Sequence, residues 1–100
     1  MSLWVESIKA ATTLGPGVSL RFDIPRWFLG IFITATGSPT TVDGSLEGSI
    51  DGVTWFQLSN ASLTSPAIGV SGPPVLFLRA NVTNIVGGTS PTVTAWISAA

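Results

Sequence analysis

Asp43, Glu47 and Asp51 fall four residues apart. In one extended strand that spacing sets three carboxylates on a single face, the kind of donor set that can hold a hard cation such as Ca²⁺. Strand geometry works against it. Neighbours four apart lie about 13 Å from one another, whereas such a cation needs six or more oxygens within about 2.6 Å. No metal site is expected. The other carboxylates are Glu6 and Asp23, and the chain holds no His and no Cys. A Ser–His or Cys–His nucleophile pair therefore cannot be assembled. Asp43 and Asp51 precede Gly, as turn formers do. The chain reads as non-enzymatic, with no catalytic residue, cofactor or metal ligand.

The residues left with something to do are aromatic. In "PRWF", Pro25 to Phe28, Arg26 and Trp27 stand at a strand entry as an anchor of the type enriched in protein interfaces; otherwise Trp27 packs under the preceding loop. Trp4 either pins the first strand or inserts into a neighbouring subunit. "SIDGVTWFQL", residues 49–58, sets an Asp-Gly corner ahead of Trp55 and Phe56. If Asp51 and Gly52 form a two-residue type I′ turn, both take positive φ. Gly48 then faces Trp55, which lies across the gap the glycine leaves, and Phe56 joins the opposite face. A longer loop slips the register by one and turns Phe56 into the core. The residues alone leave both arrangements open. The candidate contact residues are thus Trp4, Arg26, Trp27 and Phe56, with Asp51 and Gly52 as the hairpin turn.

The elements that must position them have a period of two. Val18, Leu20, Phe22 and Ile24 alternate with Ser19, Arg21 and Asp23, which predicts a strand with one buried and one wet face. Similar stretches predict strands over residues 3–10, 28–36, 41–50, 53–59, 67–70, 75–83 and 92–98. Between them, "LGPG", "TGSP", "SGPP" and "VGGTSP" supply turn chemistry, and no helix of useful length fits. About eight short strands predict an all-β fold. It is a single antiparallel β-sandwich over residues 1–100, and a jelly roll is among the topologies that fit. Phe22, Ile31, Ile33, Leu46, Ile50, Leu78, Val82, Val93 and Ile97 are expected between the sheets. Residues 1–10 form an edge strand or an arm added to a neighbour's sheet.

Composition indicates what surrounds the fold. Hydrophobic residues make up 45% of the 100 and charged residues 9%, against about 25% charged in typical soluble domains. With a formal net charge of −1, such a surface tends to associate, and coverage by neighbouring proteins is expected. Lys9, Arg21, Arg26 and Arg79 are scattered, so no electrostatic footprint for nucleic acid is expected. The longest apolar run, residues 27–33, is far below the 18 or so needed to span a membrane. Glu6 falls where a signal peptide would be apolar, and cytoplasmic assembly is expected.

Two resemblances extend this reading. "GSIDGVTWFQL" followed by "VLFLRANVTN" resembles discoidin-like (coagulation factor 5/8 type C) β-sandwiches on Ser49, Asp51, Gly52, Trp55 and Arg79. That resemblance implies a carbohydrate-binding adhesion module, with Trp27 or Trp55 stacking on sugar rings. Discoidin-like domains are longer, however, and bind through loop residues that have no counterpart here. From Ser45 onward, ending in "LRANVTNIVGGTSPTVTAWISAA", the chain is similar to small structural proteins of tailed bacteriophages. This second resemblance implies a virion protein, as a capsid decoration (cement) or minor head protein that stabilises subunit contacts. Its partners would be its own copies and the major capsid or tail protein. The adhesion module stands as the alternative.

Overall fold

The computed structural model describes residues 3–100, which form seven strands: β1 (Leu3–Ala11), β2 (Gly15–Pro16), β3 (Leu20–Thr36), β4 (Thr41–Ser49), β5 (Trp55–Ser62), β6 (Ala67–Val86) and β7 (Thr92–Ala99). They make one antiparallel sheet of order β1-β7-β3-β6-β4-β5, with β2 beside β6. The all-β antiparallel expectation holds. Among the described residues no helix is long and apolar enough to cross a membrane.

The long strands β3 and β6 fold this sheet into two layers. The second half of β3 pairs with β7, Ile31 opposite Ile97, and with the start of β6, Ile31 opposite Ile68. The second half of β6 pairs instead with β4, Leu46 opposite Ala80 and Gly48 opposite Leu78. One layer is therefore β1, β7, late β3 and early β6; the other is β5, β4, late β6 and β2. They meet face to face, since a Cβ added at Gly44 of β4 would lie 3.4 Å from Ile33 Cγ2 and 3.9 Å from Ile31 Cδ1.

The strands number seven where about eight were expected: β3 runs through Pro25 and β6 through Pro73 and Pro74, each joining two expected strands, and the short β2 is an addition. Proline removes a ladder donor, and the β3–β6 register shifts between Arg21 and Arg26 and again between Arg26 and Phe28. At an irregular ladder site Pro can bend a strand without ending it. Part of "LGPG" is itself paired, Gly15 with Val82 and Pro16 with Asn81.

Ile31, Ile33, Leu46, Leu78, Val82, Val93 and Ile97 are buried as expected, and Phe22 packs against them. Ile50 is a correction. It is 65% exposed, in the loop after β4. Val18 and Ile24 are also exposed, so only Leu20 and Phe22 of the first alternation reach the core.

β1 is joined to both layers. It pairs with β7 from Leu3–Ala99 to Ala11–Val93, and its buried Ser7 reaches across to the other layer. Ser7 Oγ accepts the Ala80 N–H at 3.0 Å and donates to Val18 O at 2.8 Å. Gly17 N–H donates to Ala80 O at 2.8 Å, and Val18 N–H to Ser7 O at 2.7 Å. Residues 3–11 are thus an edge strand of this chain's own sheet. Met1 and Ser2, the start of the segment expected as an arm or edge strand, lie outside the described residues.

Candidate interaction surfaces

The β4–β5 hairpin has a longer loop than a type I′ turn. Ser49 pairs with Trp55, Gly48 with Phe56 and Glu47 with Gln57, which leaves residues 50–54 to turn the chain. Asp51 organises them. Its Oδ1 accepts the N–H groups of Val53 and Thr54, each at 2.8 Å, and the Ser49 hydroxyl at 3.0 Å; Ser49 Oγ accepts the Gly52 N–H at 2.8 Å. Gly52 has φ of 79°, but Asp51 is not among the residues with positive φ, so the two-residue turn is corrected to this Asp-capped loop.

The Thr54 amide, then those of Val53 and the Ser49 hydroxyl, lower the Asp51 pKa from 3.8 to about 2. A folded-state pKa below the unfolded value means that ionised Asp51 contributes its full stabilisation above about pH 4 and loses it as pH falls through about 2. Denaturation of wild type and Asp51→Ala should differ most near neutrality and converge over about pH 4 to 2. A constant gap across that range would contradict this role.

The slipped register sends Phe56 against the core and leaves Trp55 off that cluster. Phe56 is thereby corrected from a surface contact to a rim residue of the core. Arg79 lies 4.0 Å over the Trp55 ring, and its Nε donates to Glu47 Oε1 at 2.8 Å. Asn81 Nδ2 donates to Glu47 Oε2 at 3.1 Å, and Phe77 meets Trp55 edge-on at 6.5 Å. Asn84 Nδ2 donates to Asp43 at 3.3 Å. Asp43, Glu47 and Asp51, which share strand parity, therefore have separate partners. Arg21 and Arg26 also rest on rings, over Phe77 and Phe22, each at 5.8 Å.

The outer face of the other layer has a different character. Trp4, 53% exposed, leans over Gly30, where an added Cβ would lie 3.2 Å from the indole Cη2 and 2.9 Å from Ser98 Oγ. It also meets Phe32 edge-on at 6.4 Å, and Phe32 meets Trp96 at 5.5 Å. Gly30 pairs with Gly69 of β6. Two glycines side by side leave a floor of bare backbone. Trp4 and the exposed Phe28 wall this shallow trough, with Ala67 and Ser98 along it.

None of the side chains lining the trough is charged, so these side chains offer shape and apolar contact rather than acid–base chemistry or cation binding. Of the sequence candidates only Trp4 lines it. Arg26 is half-buried on Phe22, and Trp27 is exposed on the adjoining stretch of β3. Sequence reasoning missed Gly30 and Gly69. A usable signal was the lone glycine inside "WFLGIFI", since an interior strand glycine often marks close approach of another group.

No family model matches the chain, and no curated protein matches it. Ser49, Asp51, Gly52, Trp55 and Arg79 do gather at one hairpin, but no discoidin-like family match accompanies them. Among solved structures, the SPBc2 prophage-derived protein YomS is similar with a TM-score of 0.72, covering 99% of this chain and 92% of YomS at 14% identity. Over nearly its whole length, this chain has the fold of a prophage-derived protein.

Proposed function

We propose that the chain is a non-enzymatic bacteriophage virion structural protein, acting as a capsid decoration or minor head protein that stabilises subunit contacts after assembly in the host cytoplasm. The observation that carries this reading is exposed apolar surface on a chain with few charges: Trp4 (53%), Trp27 (48%), Phe28 (58%) and Ile24 (60%) are all open to solvent. Trp4 and Phe28 share one trough, and exposed apolar residues grouped in this way mark interaction surfaces. The fold shared with a prophage-derived protein supports the phage setting.

Function then resides in burial of that surface against other copies and against the major capsid or tail protein. Each square ångström of apolar area contributes about 25 cal/mol. Much of that is offset by the ordering costs of association, and repetition over a symmetric shell multiplies what remains. The carbohydrate-binding alternative is weaker at Trp55, where Arg79 already occupies one ring face.

Particles assembled without the chain should lose infectivity faster under heat or osmotic shock than complete particles, and adding the purified protein should restore resistance. Equal survival with and without the chain would contradict a stabilising role.

A further inference from the structure

Residues 67–71 of β6 pair with β3 along one side only; on the other side, among the described residues, they pair with no strand. Proteins usually guard an open edge with charge, proline or bulges. β1, the edge at the far end of the same layer, carries Glu6 and Lys9 and has two register shifts. The stretch Ala67, Ile68, Gly69, Val70, Ser71 has no charge and no proline, and its pairing with β3 is regular.

We propose that this edge pairs antiparallel with the same edge of a second copy, about a twofold axis at Gly69. Both faces of the strand fit that register. On the core side, Ile68 meets the second copy's Val70. Each is only partly buried within one chain, so the row Ile97–Ile31–Ile68 continues into the second copy's Val70 and Leu29. On the outer side, Ala67 meets the second copy's Ser71. There the glycine floors join, and two troughs walled by Trp4 and Phe28 become one surface. Edge-to-edge addition supplies main-chain hydrogen bonds, and side chains on alternate faces set the register. The inference rests on the structural-protein reading for its purpose and on the edge for its geometry.

The absence of Cys from the chain lets a single introduced thiol report the contact. Gly69→Cys has room, since an added Cβ meets nothing nearer than Leu29 O at 3.9 Å. Opposed Cα atoms in an antiparallel pair lie about 4.5–5.5 Å apart, within disulfide reach. Mild oxidation should convert G69C to a disulfide-linked dimer, whereas Q57C, on the open edge of β5, should pair through β6 as wild type does but remain without a covalent link. Light scattering should find wild type dimeric. The exposed-site double variant A67K/S71K sets lysines opposite one another twice across the joint, and should weaken the dimer by about tenfold or more.

A monomeric wild type, equal cross-linking of G69C and Q57C, or a dimer indifferent to the lysines would overturn the inference. Assay of wild type in purified phage particles separates the two claims. A monomer present in particles defeats the edge pairing alone, whereas an edge-paired dimer absent from particles defeats the virion reading alone.

Discussion

Gly17→Ala should lower the thermal midpoint by about 12–24 °C, the shift that a loss of about 3 kcal/mol produces in a domain of this size. A Cβ at Gly17 would lie 2.2 Å from Ser7 O and 2.4 Å from Ile8 Cγ1. The first of these is backbone, which cannot rotate away. Overpacking of this kind costs about 1–3 kcal/mol, and displacing Ser7 also strains the bonds it makes to Ala80 and Val18. Leaving a buried N–H such as that of Ala80 without its acceptor costs about 1–3 kcal/mol, which is also the expected cost of Ser7→Ala. Because both substitutions break one clasp, their effects should sum to less than additivity predicts. A midpoint shift below about 4 °C for Gly17→Ala, equivalent to about 1 kcal/mol or less, would show that β1 is not held to the second layer in this way.

Ile31→Ala should be comparably severe, at about 4 kcal/mol in chemical denaturation, toward the upper end of the range for large-to-small core changes. Ile31 has no exposed surface. It sits between Ile97 and Ile68 in its own layer and opposite Gly44 in the other. Bare backbone at Gly44 has no side chain to relax into the void. Gly44→Ala, whose Cβ would lie 3.9 Å from Ile31 Cδ1, should therefore recover about 1 kcal/mol in the Ile31→Ala background by filling part of the cavity. In wild type it should be neutral or mildly costly, because Ile33 Cγ2 stands only 3.4 Å away. A loss below about 1 kcal/mol for Ile31→Ala would mean that the layers do not close on this residue.

What the sequence shows and what it hides divide along physical lines. Alternation is a local property, so the inward residues of β7, Val93 and Ile97, and the single buried leucine of β4, Leu46, are legible from period two. Continuity across a bend is not local. Pro25 and the Pro73–Pro74 pair have the chemistry of turns, yet pairing partners on both sides hold β3 and β6 together through them. The hairpin register turned on whether Asp51 would adopt positive φ or accept the amides of Val53 and Thr54, and the second arrangement prevails. That choice put Ile50 outside and Phe56 against the core.

Trp4 was visible as a candidate because an indole in a sparsely charged N-terminal stretch needs a partner. The trough beneath it was not, since Gly30 and Gly69 are brought side by side only by pairing across 39 positions of sequence. The Glu47–Arg79–Trp55 grouping was half visible. Trp55 and Arg79 stood out in the hairpin pattern, while the ion pair depends on β4 and β6 being neighbours.

The most direct measurement is the number of copies of this chain in purified phage particles, by quantitative mass spectrometry against the major capsid protein. A virion structural role predicts a fixed stoichiometry set by particle symmetry and retained through gradient purification. Absence from the particles, or trace amounts that vary between preparations, would contradict it.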